Sequence, residues 1–156
     1  MAKANSNNNK KKGVQPSPGG IAYVALLRTA DKMKTYFETI IAPFDITGQQ
    51  YNVLRILRGA EPDGLPTLTI AERMIERAPG ITRMIDRLEA KELVAREICV
   101  EDRRCVYCRI TKKGLNLLEL LDNPVEEADH AVFRGLEETE IKQLIALLEK
   151  AGKGFE

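Results

Sequence analysis

Pro79-Gly80-Ile81-Thr82-Arg83-Met84-Ile85-Asp86-Arg87-Leu88-Glu89-Ala90-Lys91 is the most informative run in this chain of 156 residues. Ile81, Met84, Ile85 and Leu88 return at the three- and four-residue steps of a single helical stripe, so the spacing predicts a helix that ends near Lys91. Pro79 stands in its first turn, where a missing N–H costs nothing. If the stripe faces a core, Thr82, Arg83, Asp86 and Arg87 occupy the complementary angles and face outward.

Upstream of this run, Thr69-Ile70-Ala71-Glu72 has the T-x-x-E form of a capping box and predicts a short helix from there to about Arg77. Two short helices then meet around Ala78. Before them, Leu26, Ala30, Met33, Phe37 and Ile40 step by four and three through a first helix spanning Ile21 to Ala42, which Pro43 stops. A second helix runs from about Thr47, a suitable N-cap, to Gly59 with Tyr51, Leu54 and Leu57 or Arg58 in step. Ala60 to Pro66 reads as a loop. The opening residues are rich in Asn, Lys, Pro and Gly without apolar periodicity, which predicts disorder to about Pro18, with Lys10, Lys11 and Lys12 as a solubilising cluster.

Downstream the period changes to two. Val94, Arg96, Ile98 and Val100, then Val106, Cys108 and Ile110, alternate with polar neighbours around the charged tip Glu101-Asp102-Arg103-Arg104, the pattern of a β-hairpin. From Lys112 the spacing turns helical through Leu115, Leu118 and Leu121, passes Pro124 with a bend, and reaches about Phe133. A sixth helix uses Ile141, Leu144, Ile145 and Leu148 before Gly152 ends it. The fold class is mainly α with a small β-hairpin wing (α+β).

Two short helices followed by an Arg-rich hairpin form a winged helix-turn-helix, in which the second short helix enters the major groove and the hairpin lies over the backbone. Thr82, Arg83 and Arg87 are the candidate base contacts: an Arg fork matches guanine O6 and N7, and Thr can bond a base edge or touch a thymine methyl. Thr69, Gly80, Arg96, Lys112 and Lys113 are candidates for phosphates. At the hairpin tip Asp102-Arg103-Arg104 places a carboxylate two residues from a guanidinium, so Asp102 can orient Arg104 while the fork reaches into a narrow, electronegative minor groove.

The residues from Pro79 to Lys91, followed by Leu93, Val94 and Arg96, resemble the recognition helix of the MarR family of bacterial regulators. Asp102-Arg103-Arg104, followed by Ile110, Thr111 and Gly114, resembles that family's wing and the start of its next helix. Gln50-Tyr51-Asn52-Val53-Leu54 is similar to its second helix. The resemblance covers about residues 21 to 150. It implies a triangular homodimer with interlocked terminal helices, binding double-stranded DNA at a pseudo-palindromic operator and commonly repressing nearby genes. On that reading the DNA-binding lobe is about residues 47–113, and residues 19–43 and 114–152 dimerise within one domain, 19–156, behind the tail 1–18. Two positions depart from the family pattern: Glu92 replaces the usual Gly after the recognition helix, and Ala78 stands at the expected N-cap before Pro79.

The resemblance also implies two kinds of effector, small aromatic ligands or oxidants. Tyr36, Phe37, Tyr51 and His130 are the candidate pocket residues, although aromatics at helical spacing more often belong to a core. Cys99, Cys105 and Cys108 lie on the wing strands rather than the first helix, and read as half-buried strand residues. With a single histidine, His130, on a different segment, they make no metal site, and no cofactor is expected.

The net charge of +1 hides an uneven distribution. Residues 79–118 carry nine basic against six acidic side chains and residues 119–156 four against ten, so a polyanion would be met by one face only. An enzyme is disfavoured, because no phosphate loop and no paired acid and nucleophile stand in a recognisable frame. A winged helix that binds protein instead of DNA is the rival reading. No signal peptide or membrane span is read, which points to the cytoplasm.

Overall fold

The computed structural model describes residues 15–76, 79–98 and 106–155. Their elements run α1 (Pro18–Ile41), α2 (Gly48–Arg58), β1 (Leu65–Pro66), α3 (Thr67–Arg73), α4 (Ile81–Ala90), β2 (Val94–Ile98), β3 (Val106–Ile110), α5 (Lys112–Phe133) and α6 (Glu138–Gly152), with 3-10 turns at Ala42–Phe44 and Lys153–Phe155. The fold is mainly helical with a small antiparallel sheet ordered β1-β3-β2; the helices and the β2–β3 pair follow the predicted periodicities, whereas β1 (Leu65–Pro66) lies in a stretch read as a loop. Among the described residues no helix is long and apolar enough to cross a membrane.

The chain divides into two compact units, residues 1–32 and 33–156. Of the first, the described part is the start of α1. That helix begins three residues earlier than apolar spacing predicts, because Ser17 caps it: its hydroxyl accepts from the Gly20 amide at 3.1 Å. Pro18 then takes the first helical position, which favours proline. Ile21, Tyr23, Val24, Leu26 and Leu27 are all exposed along this stretch. Most of the tail expected to be disordered lies outside the described residues.

The second unit holds the core, built on the fully buried Ile41, Leu54, Leu57, Ile70, Ile85, Leu88, Leu118 and Leu121. Thr47 caps α2 as expected, and Gln50 completes a capping box: the Gln50 amide donates to Thr47 Oγ1 at 3.3 Å, and the Thr47 amide to Gln50 Oε1 at 3.1 Å. At the other end of α2, Arg58 makes a two-pronged pair with Asp122 of α5, at 2.9 and 3.0 Å. That hydrogen bond with Asp122 raises the guanidinium's already high pKa.

Three local expectations are corrected. First, α3 starts at Thr67, so Thr69 and Glu72 lie inside the helix and do not form its capping box. The cause is tertiary: Leu65 and Pro66 pair with Cys108 and Tyr107 as an edge strand, which proline tolerates, and the chain enters the helix straight from Pro66. Second, α3 ends at Arg73, short of the expected Arg77, because Met74 turns extended and is buried. Third, Gly80 rather than Ala78 is the N-cap of α4, so Pro79 precedes the cap. Arg77 and Ala78 lie outside the described residues.

At the end of α4 the sequence departs from what the backbone asks. Glu92 has φ +61°, the left-handed conformation that favours glycine. Leu93 N–H donates to Leu88 C=O at 2.9 Å and Glu92 N–H to Glu89 C=O at 2.8 Å, the two bonds of a Schellman cap. Glu92 is compensated by its neighbours: its carbonyl accepts from Thr111 Oγ1 at 2.7 Å, and its carboxylate meets Lys113 Nζ at 2.9 Å. That hydrogen bond and charge hold the Glu92 carboxyl below its ordinary pKa.

The hairpin register pairs Val94 with Ile110, Arg96 with Cys108 and Ile98 with Val106. Val94, Cys108 and Ile110 face the core, and Cys108 is fully rather than half buried. Cys99, Cys105 and the charged tip lie outside the described residues. Thr111 caps α5 by accepting from Gly114 N–H at 3.1 Å, and α5 is continuous through Pro124. Gly114 is required by close approach, since a Cβ there would collide with the Leu93 carbonyl and stand 2.7 Å from Ile110 Cγ1.

Two stability measurements follow from these junctions. Both substitutions lose the Lys113 pair: Glu92→Gly still raises the thermal midpoint by a few degrees because glycine relieves the left-handed residue, whereas Glu92→Ala keeps that demand and lowers it. Gly114→Ala destabilises by roughly 1–3 kcal/mol in denaturant titration, the cost of overpacking against backbone.

Candidate nucleic-acid interface

The α4 stripe orients the site. Ile81, Ile85 and Leu88 are buried and Met84 is partly buried, while Thr82, Arg83, Asp86 and Arg87 are exposed on the opposite side. The helix cannot roll about its axis without bringing that stripe into water, at about 1.5–3 kcal/mol for each large side chain.

The turn before α4 is held from two helices. Asn52 Oδ1, on α2, accepts from Ile75 N–H at 3.2 Å. The Glu76 carboxylate accepts from Lys34 Nζ of α1 at 2.7 Å and from Gln49 Nε2 at 3.1 Å. Those bonds, Lys34's first, keep the Glu76 carboxyl below its usual pKa. Sequence reading missed this latch, because residues 42 and 27 positions apart leave no periodic signal.

Cations are unevenly committed around α4. Lys91 pairs with Asp45 at 2.7 Å, Arg109 with Glu97 at 3.0 Å and Lys113 with Glu92 at 2.9 Å. Arg96, read from the sequence as a phosphate contact, is 2.6 Å from Asp86 and 3.0 Å from Glu89, and donates to the Thr82 carbonyl at 3.2 Å. Partial burial pulls the Arg96 guanidinium pKa down, but the hydrogen bond and charge of Asp86, with Glu89, outweigh it and the net shift is upward. Among the described residues Arg83, Arg87 and Lys112 make no ion pair, and all three are exposed. Thr69 is half-buried in α3, and Gly80 is exposed at the start of α4. Asp102, Arg103 and Arg104 lie outside the described residues.

Among the described residues, the four aromatic candidates stand in different surroundings. Phe37 and Tyr51 meet with ring centroids 5.2 Å apart, but Tyr51 is buried and its hydroxyl accepts from Arg55 at 3.1 Å, so the pair is core. Tyr36 is exposed, and the His130 side chain is 81% exposed. A groove of about 430 Å³ opens elsewhere, lined by Phe44, Lys91, Leu93, Lys113, Leu117 and Leu120 among others, and none of the four candidates borders it.

This geometry has known counterparts. The model of the MarR family matches residues 46–106, from the start of α2 to β3. The chain is 30% identical over 127 residues to the homoprotocatechuate degradative operon repressor of Escherichia coli, a match that covers 81% of this chain and 84% of that repressor. The chain belongs to the MarR family. It is a MarR-family DNA-binding transcription regulator, similar to a repressor, and its relatives are regulators rather than enzymes. A MarR transcription factor from Planctomyces limnophilus is 43% identical, with a TM-score of 0.69 over 85% of this chain and 96% of that one. MepR of S. aureus, solved as a DNA complex, is 28% identical, with a TM-score of 0.77 over 85% of this chain and 97% of that one. The α3–α4 pair and the β2–β3 hairpin are thus the helix-turn-helix and wing of a MarR regulator.

Asn52→Ala leaves the Ile75 amide without its acceptor. Stability falls by about 1 kcal/mol, and hydrogen exchange at residues 74–76 accelerates more than in α5.

Proposed function

We propose that this MarR regulator is a homodimeric repressor that reads a pseudo-palindromic operator through α4 and the wing. The observation that carries the reading is the contrast in pairing: Lys91, Arg96, Arg109 and Lys113 have acidic partners, while Arg83 and Arg87 stand exposed and unpaired on α4 among the described residues. Guanidinium forks held apart from carboxylates are ready for guanine O6 and N7, or for phosphates.

In this reading Thr82, Arg83 and Arg87 contact bases, and Asp102, Arg103 and Arg104 carry the wing into the minor groove. Thr69, the Gly80 backbone amide and Lys112 take phosphates, and Lys113 takes one by exchanging its Glu92 partner at the surface. Arg96 is assigned no phosphate, because three groups of α4 already occupy its guanidinium. A pocket of Tyr36, Phe37, Tyr51 and His130 is likewise left out.

The homodimer is supported by apolar surface on the terminal helices, each taken alone. On α6, Ile145, Leu147 and Leu148 are exposed, Leu147 at 64%, and α1 exposes the five large apolar residues from Ile21 to Leu27. A two-fold copy lets such patches meet their own kind. Half-sites then lie about 34 Å apart, one turn of DNA. A chromosomal partner places the protein in the cytoplasm.

Selection from random duplexes, with salt titration and sedimentation in parallel, tests the proposal. A two-fold symmetric site, a dimer mass and affinity that falls steeply with salt are expected. Arg83→Ala relaxes preference at one base pair by roughly 1–3 kcal/mol, and Arg104→Ala weakens binding without lowering the thermal midpoint. No enrichment, or a monomer indifferent to DNA, overturns the reading in favour of a winged helix that binds protein.

A further inference from the structure

Asp86 is a hazard on an arginine-bearing face. It follows Arg83 by three residues on the exposed side of α4, the spacing at which a carboxylate and a guanidinium pair along a helix. Such a pair would occupy the fork that a base needs. Asp86 instead reaches sideways to the wing, where its Oδ1 lies 2.6 Å from Arg96.

Arg96 is built to take it. Its Cα partner on β3 is the fully buried Cys108, so the side chain leaves the core-facing side of β2 and only a quarter of it is exposed. From there one guanidinium meets Asp86, Glu89 at 3.0 Å and the Thr82 carbonyl at 3.2 Å. Thr82, Asp86 and Glu89 stand at i, i+4 and i+7, a single stripe along one flank of the helix. Arg83 and Arg87 form the neighbouring stripe. The two carboxylates of the flank are therefore drawn toward β2, away from the arginines.

We propose that Arg96 is a positioning residue for DNA reading: it holds Asp86 and Glu89 from the wing side, so that Asp86 does not close on Arg83 and the Arg83 fork stays open to the major groove. The assignment rests on α4 being the reading helix. It gives the wing a second task, that of keeping the neighbouring helix's reading groups unpaired, and explains why an Arg stands on the core-facing side of a strand.

The experiment compares the full-length parent with Arg96→Met, Asp86→Asn and the double variant, on the selected operator duplex and on a random duplex, alongside a structure of DNA-free Arg96→Met. In that structure Arg83 is expected within 4 Å of Asp86, the ordinary ion-pair distance. Operator affinity of Arg96→Met falls by about tenfold, the low end of the loss of one base contact, with a smaller loss on the random duplex. The double variant regains most of that loss although it lacks the same guanidinium, because no carboxylate remains three residues from Arg83. A double variant as weak as Arg96→Met shows that Arg96 only stabilises the lobe or touches DNA itself, and overturns the proposal. So does an Arg83 that stays unpaired in DNA-free Arg96→Met, a result that stands whether or not any duplex is selected. A parent that selects no duplex counts against the DNA reading of α4.

Discussion

The rotational setting of α4 is the constraint on which the rest depends. Ile81, Ile85 and Leu88 enter one core with Leu54, Leu57, Ile70 and Leu118, and a helix of ten residues has only that one stripe to bury. Turning it by one residue, about 100°, would expose side chains each worth about 1.5–3 kcal/mol. Everything that could touch DNA from this helix is outward as a consequence of what is inward.

The junctions around α4 serve the same end by other means. A hydrophobic stripe sets roll but tolerates sliding and fraying, whereas directed polar contacts do not. Asn52 and Glu76 hold the turn before α4, a Schellman cap closes its end, and Arg96 spans three groups along its flank. Exposed pairs of this kind contribute little stability one by one. Their value lies in geometry, because directed polar contacts fix position more finely than a core does.

Glu92 illustrates how such a junction absorbs a poor residue. The left-handed position disfavours any side chain, yet Thr111 and Lys113 bond the Glu92 carbonyl and carboxylate and tie the end of α4 to the start of α5. The same place needs Gly114, whose missing Cβ lets the two backbones approach. Strain at one residue and space at another belong to one packing solution.

The helices, the hairpin and the outward set Thr82, Arg83, Asp86 and Arg87 were all readable in the residues, because apolar periodicity reports which face of an element is buried and needs no knowledge of its neighbours. Thr47 as a cap was equally local. The start of α3 was not, since Leu65 and Pro66 become a strand only when β3 lies beside them, and a two-residue strand has no period to detect. Nor was the fate of Arg96. Its alternation placed it on the inner face, but a guanidinium carries the same donors toward a phosphate or toward Asp86 and Glu89. Which it meets depends on the position of α4 relative to β2. Sequence by itself determined what each element buries and offers; only the tertiary structure decided which offered charges are already paired, because pairing depends on distances between segments that the order of residues does not encode.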